Sequence, residues 1–157
     1  MGILLVFNGV FMSFGAITSW YYDETQVLSQ LVTAFIVVVI LGILLMFFTR
    51  NHPKDIGKKE GYLIVTLGWI MMALSGCLPY LMTGTIPNFT NAFFETISGY
   101  TTTGATILDD IEIMPKGILI WRSLTHWIGG MGIIVLTIAI LPMFGIGGMQ
   151  LFTAEAP

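Results

Sequence analysis

The chain is 157 residues long, and 55% of its residues are hydrophobic while only 10% are charged. A soluble domain usually carries about 25% charged residues, so this composition excludes an ordinary water-soluble protein. The net charge of -3 is too small to indicate a nucleic-acid partner. The single cysteine, Cys77, excludes a disulfide within the chain and a cysteine metal cluster.

Four hydrophobic segments follow one another along the chain. Met1 to Trp20 lacks the basic start of a secretory signal, so we interpret it as a membrane helix. Leu28 to Phe48 and Gly61 to Met82 contain no charged residue, and runs of that length rise roughly 30 Å as helices, which matches the bilayer core. Ser123 to Thr153 is longer than one crossing, and Pro142 predicts a bend or exit near its end. The sequence therefore predicts an all-α integral membrane protein with four transmembrane helices.

Basic residues are concentrated in one short loop, 50–60, between the second and third segments. By the positive-inside rule this loop is cytoplasmic, so both termini also face the cytoplasm. The acidic residues after the third segment are then extracellular, and we expect them to line an outer vestibule. The loop residues are Arg50, Lys54, Lys58 and Lys59, and the acidic residues are Asp109, Asp110 and Glu112.

The segment between the last two crossings is too polar to face lipid. Residues 89–98 predict a short helix with Asn88 or Thr90 as its N-cap, and residues 100–106 follow as a run of threonines interrupted by Gly104. This helix is too short to cross a bilayer, and irregular backbone at membrane depth must be buried in protein or line water. The pattern predicts a re-entrant pore helix followed by a filter loop.

The residue types in this loop suit a cation path. Backbone carbonyl oxygens can replace the water around a potassium ion without holding the ion too tightly to release it. Aligning consecutive carbonyls requires backbone conformations that most residues reach poorly, and Gly104 supplies the permissive position. The carbonyl end of the short helix is partially negative and would favour a cation, as would the acidic residues outside.

The run from Asn91 to Thr106 closely resembles the first pore loop of TrkH-type subunits in the Trk/Ktr/HKT superfamily of potassium transporters. Trp121 to Ser123, Trp127 to Val135 and Ala139 to Pro142 are similar to the second helix of the first repeat in that family. The resemblance is strong from about residue 50 to residue 157, whereas the first two helices match by hydropathy alone.

The resemblance implies a fold, a location and partners. Family members have four fused helix, pore loop, helix units around one ion path, preceded in TrkH-type proteins by two extra helices. Residues 1–49 would be the two leading helices and 61–157 the first unit, in the plasma (inner) membrane. Potassium would be the transported substrate with no other cofactor, and a cytosolic TrkA-type nucleotide-binding subunit would be a partner. The implied filter residues are Thr101, Thr102, Thr103 and Gly104.

Two questions stay open at the level of sequence. Glu95 on the short helix either supports the filter backbone from behind or is solvated in the vestibule, and we favour support. The chain either contributes to a conducting transporter or is a non-conducting membrane fragment or assembly element. One pore loop faces an ion from one side only, so conduction requires further repeats in the same chain or an oligomer. No nucleophile paired with a base and no phosphate-binding loop is found, so we predict that the chain is not an enzyme.

Overall fold

The computed structural model describes residues 1–50 and 58–140, and within that range the side chains of 58–60, 133 and 135–140 are not described. The described part of the chain is all-helical and contains no strand, as the sequence predicts. Its helices are α1 (Gly2–Tyr21), α2 (Thr25–Thr49), α3 (Lys58–Gly76), α4 (Leu78–Met82), α5 (Phe89–Tyr100) and α6 (Lys116–Ile140).

Three described segments are long and apolar enough to cross a membrane. They are Gly2–Tyr21, Thr25–Thr49 and Gly61–Met82, which agree with the first three hydrophobic segments. The fourth predicted crossing extends past residue 140, so Pro142 lies outside the described residues, as do positions 51–57 of the basic loop. Helix α6 begins at Lys116, earlier than the predicted run beginning at Ser123, because Ile118 and Trp121 on its first turns are apolar and fully buried in the core.

Helix α1 lies at the centre of the packing and contacts α2, α3 and α6. Met12 of α1, Leu31 and Val38 of α2 and Trp121 of α6 are completely buried in one shared core. The opposite face of α2 exposes a row of large apolar side chains, which suits contact with lipid rather than water. That row includes Ile36, Ile40, Ile43 and Phe47.

The third membrane segment is interrupted near its end. Helix α3 stops at Gly76 and α4 starts after Cys77, because Pro79 has no amide to donate to the carbonyl four residues earlier. The Trp121 indole nitrogen donates to the Gly76 carbonyl at 3.0 Å. A Cβ atom added to Gly76 would lie 2.9 Å from the Tyr100 hydroxyl oxygen, so α5 packs directly against the end of α3.

The short helix α5 starts at a side-chain cap. The Asn88 side-chain oxygen accepts the amides of Thr90 at 2.9 Å and Asn91 at 3.3 Å. Two of the helix's initial amides, which have no partner within the helix, are thereby satisfied. Of the two predicted caps, Asn88 is the one that the structure uses. The cap fixes where α5 begins.

Candidate functional site

Helix α5 ends in a Schellman motif, a C-terminal arrangement in which the chain reverses direction through a left-handed residue. The Thr103 amide donates to the Ser98 carbonyl at 3.0 Å, and the Thr102 amide donates to the Gly99 carbonyl at 2.9 Å. Glycine is the usual left-handed residue of this motif, but here the position holds Thr102, with a φ of 55°. The predicted filter segment therefore begins as the cap of the short helix.

Two residues of the predicted filter have positive φ. Gly104 has a φ of 77°, a conformation that most residues reach poorly, as the sequence predicts for this position. Thr102 was not expected to do so, because a left-handed conformation costs a residue with a Cβ roughly 1–2 kcal/mol. Such strain persists only where the surrounding structure imposes it, and it is concentrated at functional sites.

The 101–107 loop leaves several backbone carbonyls free. In the described part of the chain, no donor is found for the carbonyl oxygens of Thr102, Thr103 and Gly104. The Thr101 and Thr103 hydroxyls lie 2.8 Å apart and hydrogen-bond to each other. All residues of the loop are exposed. The loop therefore presents consecutive oxygen ligands that the described protein itself does not use.

The far end of the 101–107 loop is tied back to α5. The Ser98 hydroxyl donates to the Ala105 carbonyl at 2.5 Å. One turn earlier on the same face of α5, the Glu95 carboxylate accepts the Thr106 hydroxyl at 3.0 Å and the Ile107 amide at 3.1 Å. Both ends of the loop are thus attached to one helix. Sequence reasoning proposed Glu95 as a support but did not identify the groups it would hold.

Glu95 is also ion-paired. Its Oε1 accepts the Arg122 Nε–H at 2.8 Å, and its side chain is only 1% exposed, against 18% for Arg122. Arg122 is on α6, so the pair joins the short helix to the last described helix. The carboxylate is therefore satisfied by a cation and by the 101–107 loop together, which is how a charge is kept stably away from water.

A second buried network reaches the loop from α1. The Tyr100 hydroxyl donates to the Asn8 side-chain oxygen at 2.5 Å, and the Asn8 amide nitrogen donates to the Ser75 hydroxyl at 2.8 Å. Sequence reasoning did not single out Asn8 or Tyr100. The available signal was an amide side chain within an apolar membrane segment, a type of residue that is expensive there unless it has a specific partner.

The acidic residues predicted for the outer vestibule follow the 101–107 loop closely. Asp109, Asp110 and Glu112 are all exposed. The Asp110 carboxylate accepts the Glu112 amide at 3.0 Å, which shapes a local turn. Among the described residues no group of histidine, cysteine and acidic side chains is arranged to hold a metal ion.

The apolar membrane segments and the polar contacts that join them define a multi-pass membrane protein. The family model described as "TrkH: Cation transport protein" matches residues 27–157. The chain belongs to this family. Its members are transport proteins and not enzymes, which confirms the prediction that the chain is not an enzyme.

Curated relatives and a solved structure agree with this assignment. The chain is 42% identical over 159 residues to the Trk system potassium uptake protein TrkH of Vibrio parahaemolyticus and 40% identical over 157 residues to that of Escherichia coli strain K12. The two matches include 100% and 99% of this chain, respectively, but only 32% of the length of each relative. The crystal structure of the potassium transporter TrkH from Vibrio parahaemolyticus superimposes with a TM-score of 0.83 at 41% identity, over 94% of this chain and 31% of that one. The chain thus spans about a third of the length of these relatives.

Proposed function

We propose that this chain forms the first pore-lining part of a potassium uptake transporter, with α5 as a re-entrant pore helix and the 101–107 loop as one wall of the ion path. The observation that carries the proposal is the loop itself. Its carbonyls at Thr102, Thr103 and Gly104 have no donor in the described chain, while both loop ends are attached to α5. A held loop with free carbonyls is what stripping water from a potassium ion requires.

The charges around the loop have the sign that a cation path needs. The carbonyl end of α5 points its partial negative charge towards the loop, because α5 ends where the loop begins. Asp109, Asp110 and Glu112 raise the local concentration of cations at the outer side. Glu95 acts as a support for the loop rather than as an ion ligand, because its oxygens already accept hydrogen bonds from the loop and from Arg122.

The same proposal includes the arrangement in the membrane. Helices α1, α2, α3 with α4, and α6 make four crossings in the plasma membrane, with both termini and the 50–60 loop in the cytoplasm. One loop faces an ion from one side only, so the path is completed by further repeats. The relatives are named as components of a Trk system, which fits a cytosolic regulatory subunit of the TrkA type as a partner. A non-conducting role is not favoured, since the matched relatives are named for potassium uptake.

A hybrid transporter tests the function. Residues 1–157 replace the matching third of Escherichia coli TrkH, and potassium uptake is measured in cells that have no other potassium uptake system. We expect uptake by the hybrid, and we expect Gly104→Ala to reduce it at least about tenfold at equal abundance in the membrane. The added Cβ penalises the positive φ that orients the loop carbonyls.

Gly84→Ala is the matched control. Gly84 also has a positive φ, of 66°, and at both glycines an added Cβ atom meets nothing within 4 Å. The two substitutions therefore impose the same kind of backbone strain without a clash, but Gly84 belongs to the turn after α4 and not to the 101–107 loop. Equal losses of uptake from the two substitutions, or no loss from Gly104→Ala, would contradict the proposal.

A further inference from the structure

We propose that the leading helix α1 positions the ion path, through the hydrogen bond that joins Asn8 of α1 to Tyr100 at the end of α5. This inference rests on the proposed function of the 101–107 loop. It gives the leading helix a role in ion selection in addition to membrane insertion and packing. Asn8 and Tyr100 act here as positioning residues, because neither touches the free carbonyls of the loop.

The geometry of Asn8 determines which end of its amide faces Tyr100. Both side chains are buried, with exposed fractions of 0% for Asn8 and 1% for Tyr100. The Asn8 amide nitrogen lies 2.8 Å from the Ser75 hydroxyl and 3.4 Å from the Met72 carbonyl. A carbonyl only accepts hydrogen bonds, so the nitrogen must face α3. The amide oxygen is left to accept the Tyr100 hydroxyl at 2.5 Å.

Tyr100 transmits this contact to the loop because it is the last residue of α5. Its backbone carbonyl lies against Gly129 of α6, so closely that a Cβ atom on that glycine would collide with it. Its ring lies against Gly76 at the end of α3. Tyr100 is therefore held by α1, α3 and α6 at once. The next two residues are Thr101 and the left-handed Thr102, so a shift of Tyr100 moves the start of the loop.

Packing alone does not account for an amide at position 8. A leucine has the same branched side-chain skeleton with larger methyl groups, and it would pack in an apolar helix without the penalty of burying polar atoms. Phenylalanine would likewise preserve the packing of the Tyr100 ring. The polar atoms that distinguish Asn8 and Tyr100 from these apolar residues face one another. Their hydrogen bond is therefore a specific polar tie between the leading helix and the residue that precedes the loop.

The test uses the hybrid transporter and compares the uptake of potassium with that of sodium. We expect Asn8→Leu and Tyr100→Phe each to lower the potassium preference by up to about fivefold, the ratio reached when the free energy of one buried hydrogen bond acts fully on ion preference. The double variant should lose little more than either single variant, because both remove the same bond. Met12→Ala is the packing control. Met12 is fully buried on the same helix, so its truncation loosens α1 without removing the bond.

Each outcome decides the question. A lowered preference in both variants, with Met12→Ala unchanged in preference but less stable to heat, supports the inference. An unchanged preference in Tyr100→Phe, or an equal loss in Met12→Ala, overturns it. If Asn8→Leu does not accumulate in the membrane, Tyr100→Phe decides, since it removes a single oxygen atom. Gly104→Ala in the same hybrid separates the two proposals. If Gly104→Ala leaves potassium uptake unchanged, the proposed function is contradicted. If only Tyr100→Phe leaves the potassium preference unchanged, this inference alone is contradicted.

Discussion

The Glu95 carboxylate holds the 101–107 loop and is itself held by Arg122. Removing one member of a buried ion pair leaves an uncompensated charge, which typically costs about 3–5 kcal/mol, whereas removing both members costs much less. Here Glu95 is 1% exposed and Arg122 18%, so the pair is close to the buried limit. The Thr106 hydroxyl and the Ile107 amide donate further hydrogen bonds to the same carboxylate.

This arrangement predicts that removing Arg122 alone destabilises the protein more than removing both charges of the pair. We expect Arg122→Gln to lower the free energy of unfolding of the hybrid transporter by about 3 kcal/mol, because the carboxylate of Glu95 stays buried without its cation. The double variant Glu95→Gln with Arg122→Gln should recover at least about 1 kcal/mol of that loss, because no buried charge is left. Thermal unfolding of the purified protein measures both values. A double variant no more stable than Arg122→Gln would show that the pair is not the source of the loss.

Thr102 shows where residue preferences fail as a guide to this loop. A threonine is β-branched and prefers extended backbone, so local preference argues against the left-handed conformation found there. The Schellman hydrogen bonds to Ser98 and Gly99 impose it. Gly104 was predictable because glycine is the residue that tolerates such a conformation without penalty. Thr102 was not, because its conformation follows from how α5 ends.

At the scale of elements, α6 is capped by a residue from a distant part of the chain. The Glu24 carboxylate, in the connection between α1 and α2, accepts the Lys116 amide at 2.7 Å and the Gly117 amide at 3.2 Å. The Ser19 hydroxyl donates to the same carboxylate at 3.0 Å. The first amides of a helix have no partner within it, and a negative charge there also complements the helix dipole. The leading helices are therefore attached to the start of α6.

We expect Glu24→Gln to lower the free energy of unfolding of the hybrid by about 1–2 kcal/mol, since a cap loses its charge and one amide loses an acceptor. Asp23→Asn is the matched control. It removes the same charge one position away, Asp23 is exposed, and asparagine tolerates the φ of 56° found there. Thermal unfolding compares the two variants. An equal loss of unfolding free energy in both would indicate a general charge effect instead of a cap.

At the scale of the whole molecule, the orientation of the chain in the membrane is predicted by charge. Asp110 should be extracellular and Lys54 cytoplasmic, because a basic cluster resists translocation. An impermeant thiol reagent applied to intact cells should label Asp110→Cys fully and label Lys54→Cys only after lysis. Cys77 is buried and is replaced by alanine as a precaution. Labelling of Lys54→Cys in intact cells would reverse the proposed topology.

The sequence by itself determined the class of the molecule, its first three membrane segments and the position of the short helix. These depend on local properties: the length of an apolar run, the capping side chain of Asn88, the freedom of Gly104 and the sign of nearby charges. Each is encoded within a few neighbouring residues, so it can be recognised before any contact is known.

Only the tertiary structure decided which distant groups meet. Asn8 and Tyr100 are separated by 92 positions, as are Glu24 and Lys116, and Arg122 lies 27 positions after Glu95. No periodicity or motif relates such pairs, because their meeting depends on how α1, α5 and α6 pack against one another. The left-handed Thr102 and the hydrogen bonds that hold the 101–107 loop to α5 are local contacts, but the preference of threonine argues against the former, so it too became visible only in the structure.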